Sequence, residues 1–300
     1  MLWWTLLSMA GMRVTQALFS MLIHRTRSAR LLTMQTVLFG GLLVGWSSAF
    51  AGDWEVGVGV GYGERGNPLV DSDDFTVLID LDIAWYGNHW FFDNGDVGYT
   101  WIDNRAFTLN TVVRVNSDRL FFSRTNTQFI SLGEFAVAPE PGQFPLDAVA
   151  VPIDIPDRDY AIEIGAELLA EGRWGFLQSS VYSDISNTHN GVEVSTSYGY
   201  SWRGNRWYIE PSLLLSWKSA SLNDYYWGIR EFEIAQALGP YRAESGLNVG
   251  ARFRAGYQID EHWAWSAAIE YERLNDEAAD SPIVDDNDVF GFFFGIGFRF

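Results

Sequence analysis

Apolar and polar residues alternate along most of the chain, most plainly in its final stretch. In FGFFFGIGFRF, residues 290 to 300, every even position is phenylalanine or isoleucine, and glycine dominates the odd positions. Successive side chains of a β-strand point to opposite faces, so this stretch predicts a strand with one wholly apolar face. The same alternation recurs at 54–63, 75–85, 160–168, 192–202, 207–217, 247–257 and 263–271, and more weakly at 105–115 and 174–185.

The length of these segments decides between two kinds of all-β protein. A soluble sandwich buries its apolar faces between two sheets, and its strands usually have about five or six residues. A tilted strand that crosses a membrane needs about 9 to 11 residues, which is the length of the runs seen here. Aromatic residues also lie at the ends of the apolar faces, where the headgroups of a bilayer would be. We therefore predict a transmembrane, antiparallel, up-and-down β-barrel over residues 52–300.

The connections between the segments are short at one end and long at the other. Five tight polar turns each carry a basic residue: GNHW (87–90), DNRA (103–106), EGRW (171–174), GNRW (204–207) and DEHW (260–263). Four of the remaining connections are long: 63–74, 116–158, 219–246 and 275–287. Only 186–191 is short. Outer-membrane barrels have short periplasmic turns and longer extracellular loops. The five turns are therefore predicted to face the periplasm.

The number of strands depends on residues 88–103. Eleven strands result if this segment is one strand, but a barrel whose two ends lie on the periplasmic side needs an even number. A tight turn at Gly95-Asp96 would divide the segment into strands at 89–94 and 97–102. The prediction is then twelve strands, and ten is the alternative if the two short pieces form an extracellular flap.

Composition agrees with a barrel and excludes a bundle of membrane helices. The 300 residues are 48% hydrophobic and 16% aromatic, yet the mean hydropathy is only -0.04. After residue 51 no stretch approaches the roughly 20 apolar residues of a spanning helix. The chain has 29 glycines, 14 tryptophans and 13 tyrosines, which suit strands, turns and interfacial positions. The absence of cysteine excludes disulfides and thiolate metal sites.

The first 51 residues have the order of a secretory signal. Arginines precede the apolar run LLTMQTVLFGGLLV (31–44), which is followed by SSAFA and then GDW. Cleavage is predicted between Ala51 and Gly52; a membrane anchor is the less favoured interpretation because the run is short. The apolar residues upstream of the arginines indicate an over-extended start codon. Without residues 1–51 the chain has 38 acidic and 16 basic side chains, a net charge of -22, which argues against a nucleic-acid partner.

Candidate chemistry in the predicted lumen is limited to charged side chains. Arg252 and Arg254 alternate on one strand, and Glu270 and Glu272 on the next, with a tight turn between them. A structural ladder of ion pairs is favoured, and a charged pore constriction is the second interpretation.

Histidines and acidic residues outside the predicted lumen give no clear catalytic or metal pattern. His189 lies near serines in a loop, but a solvated histidine is favoured over a Ser-His hydrolase. His89 and His262 are expected as interfacial turn residues. The acidic residues of 275–288 have no diagnostic metal spacing, so a solvated loop is favoured. No cofactor, metal site or catalytic residue is predicted.

The last third of the chain resembles the MipA/OmpV family of outer-membrane proteins. The resemblance rests on YYWGIREFEIAQALGPYRAESGLN (225–248), on YERLNDEAADSPIV (271–284) and on the terminal GFRF. It departs from the family pattern locally at Glu277, and the segment 116–158 shows no particular match. Phe298 and Phe300 resemble the C-terminal signal by which such barrels reach the barrel assembly machinery.

What the resemblance implies about function is a scaffold linked to peptidoglycan turnover. The implied partners are a lytic transglycosylase and a murein synthase, beside outer-membrane lipid and lipopolysaccharide. Other members of the family are described as porin-like or adhesive, so a narrow channel and a surface-exposed adhesin are the alternatives. The implied location is the outer membrane of a Gram-negative bacterium, and no enzymatic activity is implied.

Overall fold

The protein folds into one large antiparallel sheet that closes on itself. The structure, a computed structural model, describes residues 52–122, 129–132, 135–137, 155–231, 233 and 239–300; the segment predicted as a signal, residues 1–51, lies outside these residues. The strands are β1 (Asp53–Arg65), β2 (Phe75–Tyr86), β3 (Trp90–Asp93), β4 (Asp96–Asp103), β5 (Phe107–Val115), β6 (Phe129–Leu132), β7 (Phe135–Val137), β8 (Ile162–Gly172), β9 (Gly175–Asp184), β10 (Val192–Gly199), β11 (Trp202–Arg203), β12 (Trp207–Lys218), β13 (Gly246–Gln258), β14 (Trp263–Arg273) and β15 (Asp288–Arg299).

Twelve strands form the wall of the barrel. Each strand pairs with its neighbour in chain order, from β1 to β5 and from β8 to β15, with β5 next to β8. The barrel closes because β1 pairs with β2 on one side and with β15 on the other. Strands β10 and β11 both pair with β12 and are two parts of one interrupted strand. The prediction of a twelve-stranded antiparallel barrel is confirmed, and the ten-stranded alternative is not seen.

The hairpin of β3 and β4 is shorter than the rest of the wall. Its turn is Asn94-Gly95, one residue earlier than predicted, and both residues have positive φ, 47° and 102°. A two-residue turn of this kind matches the twist of the flanking strands and favours the Asn-Gly sequence. The Asn94 side chain accepts a hydrogen bond from Ile83 N at 2.8 Å and donates one to Asp82 at 3.0 Å. Beyond this turn β6 pairs in parallel with the free part of β2.

The two ends of the barrel differ as the sequence predicts. All five tight turns lie at one end, together with the start of β1 and the end of β15. Most connections at the other end are longer, and they include a 3₁₀ helix (Ser117–Phe122), α1 (Ala220–Trp227) and α2 (Asp276–Ala279). None of the helices among the described residues is long and apolar enough to cross a membrane. By the usual asymmetry of such barrels, the turns face the periplasm.

The terminal strand shows how the two faces of the wall differ. Phe290, Phe294 and Ile296 are exposed on its outer face, as lipid-facing residues should be. On the inner face Phe293 lies against glycines of its own and the next strand: a β-carbon added to Gly61 or Gly295 would come within 2.7 Å of the Phe293 ring. The inner glycines therefore leave room for the aromatic rings that fill the lumen.

Candidate functional site

The extracellular end of the barrel is covered by a packed hydrophobic cap. We define the cap by its buried residues: Leu69, Phe121, Phe122, Leu222, Tyr226, Trp227, Ile229, Ala243, Leu274, Ala278 and Ile283, which rest on Phe75 and Val289 of the wall. These residues come from four different connections around the rim. Because segments from several sides meet in one cluster, the cap extends across the mouth of the lumen.

Trp227 lies at the centre of the cap. It is the last residue of α1 and only 1% of its surface is exposed. Its ring lies 5.9 Å from that of Phe121 and 5.7 Å from that of Phe122, residues that follow β5 on another side of the barrel. Ser281, in the connection from β14 to β15, donates a hydrogen bond of 2.5 Å to the Trp227 carbonyl. Trp227 thus links three of the connections, two through its ring and the third through its backbone carbonyl.

A buried arginine joins the long β5–β8 connection to the cap. Arg158 is 1% exposed and donates to the Gly228 carbonyl at 2.7 Å and to Glu233 Oε1 at 2.7 Å. Burial alone would raise the pKa of Glu233. The hydrogen bonds from Arg158 and from the Arg230 backbone, with the charges of both arginines, outweigh burial and hold that pKa below its ordinary value. The cap is therefore held partly by a charge pair that requires an ionised carboxylate.

Acidification is expected to loosen the cap through Glu233. A carboxyl group with a lowered pKa in the folded state stabilises that state above its ordinary pKa of 4.5 and loses this contribution as the pH falls below it. Limited proteolysis of the extracellular loops should accelerate over that pH range. Glu233→Gln should show rapid cleavage at every pH, whereas Glu231→Gln, a change at a nearby exposed position, should behave like the native protein. An equal pH response in Glu233→Gln would contradict this assignment.

A second group of charges lies inside the barrel just below the cap. Arg114 on β5 donates to Glu163 on β8 at 2.8 Å and also bonds Glu193 on β10. Glu193 receives a further hydrogen bond of 2.6 Å from Ser216. Lys218 donates to both carboxylate oxygens of one further acidic residue, Asp118 in the 3₁₀ helix, at 2.6 and 2.7 Å. Strands β5 and β10 are not neighbours in the sheet, so the Arg114 contact reaches over two intervening strands.

His189 belongs to this buried group, and the expectation of a solvated loop histidine is wrong. The side chain is 4% exposed, its Nδ1 accepts a hydrogen bond of 2.9 Å from Gly191 N, and its Nε2 lies 3.2 Å from Glu163 Oε1. The loop folds inward because Asp184 accepts hydrogen bonds from the backbone N–H groups of His189 and Asn190, both at 2.8 Å. Burial and an acidic partner give His189 a structural position, with no serine hydroxyl bonded to it among the described residues.

Among the four residues of the predicted ladder the structure pairs only Arg252 with Glu270, which bond across β13 and β14. Glu272 instead accepts a hydrogen bond of 2.7 Å from Asn248 and lies 4.0 Å from Arg65. Arg254 is buried, and neither of its terminal nitrogens has an acceptor among the described residues. The four residues therefore do not form a continuous ladder.

The other predicted residues lie at the periplasmic end. Ala51 is outside the described residues and Gly52 is the first residue described, so the cleavage site stays a prediction. Phe298 packs against Trp263 and Phe300, with ring centroids 5.0 and 5.1 Å away. Their role as an assembly signal also stays a prediction.

The remaining histidines among the described residues lie in the periplasmic turns, and the acidic segment lies at the extracellular end. His89 and His262 are exposed in the turns, stacked on Tyr99 and Phe298. In the acidic segment 275–288, Asn275 caps the start of α2 by accepting from Ala278 N. No group of three or more potential metal-ligating side chains occurs within the described ranges, which include this whole segment.

Comparison with known proteins identifies the family to which the chain belongs. The family model described as MltA-interacting protein MipA matches residues 56–300. The chain belongs to this family. The two sequence stretches that resemble the family, 225–248 and 271–284, contribute most of the cap residues. They are joined by the hydrogen bond that the Tyr241 hydroxyl donates to the Glu277 carbonyl at 2.7 Å. In this MipA family member the family match therefore spans the barrel wall as well as the cap.

Several relatives of this MipA family member are named as outer membrane proteins, among them OmpV of Vibrio cholerae. It is 24% identical to MltA-interacting protein of Escherichia coli K12 over 259 residues, which are 85% of this chain and 94% of that protein. It is 30% identical to the outer membrane protein YiaT of the same organism over 144 residues, 48% of this chain and 58% of YiaT. The chain thus matches under two thirds of the length of YiaT. The protein is an outer-membrane β-barrel.

Among solved structures, an outer membrane channel from Pseudomonas putida F1 is similar to this protein. The match covers 86% of this chain and 100% of the channel's chain. The sequence identity is 13% and the TM-score is 0.40. A likeness at this level carries no argument about activity.

Proposed function

We propose that this protein is a non-enzymatic scaffold of the outer membrane that recruits enzymes of peptidoglycan turnover at its periplasmic end. The proposed partners are a lytic transglycosylase and a murein synthase. The name of the MltA-interacting relative supports this proposal. The family and the barrel fold agree with a role in binding, since the lumen is filled with side chains whose charges mostly pair with one another.

The observation that carries the proposal is the surface formed by the five tight turns. Each turn exposes one basic residue, and we define this set as the turn basic residues: His89, Arg105, Arg173, Arg206 and His262. They lie in short turns of the rigid wall, so their spacing is held by strand pairing. Charged groups on a rigid rim favour specific orientation of a partner more than raw affinity.

Affinity capture from cross-linked cell envelopes tests the proposal. The native protein should recover a murein hydrolase or synthase, and the triple variant Arg105→Ala, Arg173→Ala, Arg206→Ala should recover several-fold less. The matched control is Arg242→Ala, an exposed arginine at the extracellular end, which should capture as much as the native protein. Recovery of general assembly factors alone, or equal recovery by the triple variant, would overturn the scaffold.

The two alternatives have less support. A narrow channel would need a path past the cap, and segments from four connections cover that end of the lumen. A surface-exposed adhesin would use the long β5–β8 connection, most of which lies outside the described residues. Contacts with lipopolysaccharide and delivery by the barrel assembly machinery belong to the proposal as general features of outer-membrane barrels.

A further inference from the structure

The periplasmic half of the lumen contains buried hydrogen-bond donors with no partner among the described residues. Arg254 is 1% exposed and both of its terminal nitrogens, Nη1 and Nη2, lack an acceptor among the described residues. The hydroxyl groups of Tyr208 and Ser212 are also buried and also lack a partner there. Buried polar groups in proteins are nearly always hydrogen-bonded, and a guanidinium can only donate. The described residues therefore do not supply the acceptor that these donors require.

Strand register brings the three side chains to one place. Across β12 and β13, Tyr208 is opposite Gly256, Glu210 is opposite Arg254, and Ser212 is opposite Arg252. Tyr208 leans onto the Arg254 strand: a β-carbon added to Gly256 would lie 2.5 Å from the Tyr208 hydroxyl oxygen. All three donors are therefore on the inner face within two neighbouring strands.

The nearest carboxylates are engaged with other cations. Glu270 is bonded by Arg252, and Glu210 lies 3.7 Å from the terminal nitrogen of Arg203. Neither carboxylate accepts a hydrogen bond from the terminal nitrogens of Arg254. The two terminal nitrogens of Arg254 therefore have no carboxylate acceptor on the neighbouring strands, although acidic residues lie close by.

We propose that Arg254, Tyr208 and Ser212 form a binding site for an oxyanion that enters from the periplasm. Two guanidinium nitrogens fit two oxygens of a carboxylate or a phosphate, and this bidentate arrangement is the strongest recognition arginine offers. The two hydroxyl groups supply further donors to the same ligand. Entry is from the periplasm because Tyr208 is the second residue of β12 next to a periplasmic turn, whereas the cap covers the opposite end.

Isothermal titration calorimetry on the purified full barrel in detergent tests this site, with inorganic phosphate, acetate and chloride as separate probes at constant ionic strength. Phosphate or acetate should bind saturably, and chloride should not. The tighter of the two oxyanions identifies the source as a phosphate group or a carboxylate. Absence of saturable oxyanion binding, or equal binding of chloride, would overturn the proposal.

Variants assign the binding to the three residues. Arg254→Met should abolish it, and Tyr208→Phe or Ser212→Ala should each weaken it about tenfold, the effect of one hydrogen bond to a charged group. The matched control is Tyr182→Phe, another inner-face tyrosine packed on a glycine, whose hydroxyl is bonded to Glu167. It should bind like the native protein. If Arg254→Met fails to fold, the two hydroxyl variants keep the test, and native affinity in both would refute the site.

Discussion

Replacing Phe294 with arginine is expected to destabilise the folded barrel by about 2 to 4 kcal/mol, the cost of a lipid-facing arginine near the bilayer midplane. Phe294 lies in the middle of β15, and 59% of its surface is exposed on the outer face. Its position on the outer face follows from register, since it pairs with Tyr62 of β1 and Ala267 of β14. Denaturant unfolding of the barrel in lipid vesicles, followed by heat-modifiable migration on gels, measures the effect.

The matched control is Phe290→Arg on the same face of the same strand. Phe290 lies near the extracellular end of β15, where a long cation reaches the headgroups, so the cost there should fall to about 0 to 1 kcal/mol. Both variants lose a phenylalanine ring, so the difference between their free energies of unfolding reports the effect of depth in the bilayer alone. Equal costs at Phe290 and Phe294, or a protein that stays in the soluble periplasmic fraction, would contradict a membrane-spanning β15.

Replacing Trp227 with alanine is expected to open the cap while the barrel stays folded. Large-to-small changes at buried tryptophan or phenylalanine cost about 3 to 5 kcal/mol, and here the loss falls on a cluster outside the wall. Proteolysis of the extracellular connections should accelerate strongly, whereas heat-modifiable migration of the barrel should be unchanged. In planar bilayers the native protein should be silent and the variant should show openings, because the cap lies across the mouth of the lumen.

The control for this experiment is Trp217→Ala. Trp217 is on β12, 39% exposed to the lipid side, and has no place in the cap. The Trp217→Ala variant loses the same type of side chain without loosening the extracellular connections. Its rate of cleavage and its conductance should therefore match those of the native protein. Native-like cleavage in Trp227→Ala, or equal conductance by the native protein, would show that the cap does not close this barrel.

The sequence alone determined the wall of the barrel. Alternation with a period of two is a local property of each strand, and it sets which side chains face lipid without knowledge of any partner. The position predicted for the turn between β3 and β4 differs from the observed one by one residue. Both Gly95-Asp96 and Asn94-Gly95 are compatible with a tight turn, and the choice between them depends on backbone φ angles that only the structure gives. The tight turns and the family motifs were equally local and were recognised from their residues.

Only the tertiary structure decided which inner side chains meet. Arg114 and Glu193 lie on strands separated by two others, and Arg158 and Glu233 lie 75 residues apart, so no spacing in the sequence predicts either contact. Contacts between neighbouring strands are easier to predict from the sequence. The tight turn between β13 and β14 places Arg252 near Glu270, but the sequence does not give the direction in which the Arg254 side chain extends. His189 was misread because its burial depends on Asp184 folding the loop inward. Closure of the sheet brings distant inner faces within reach, and closure is a property of all twelve strands together.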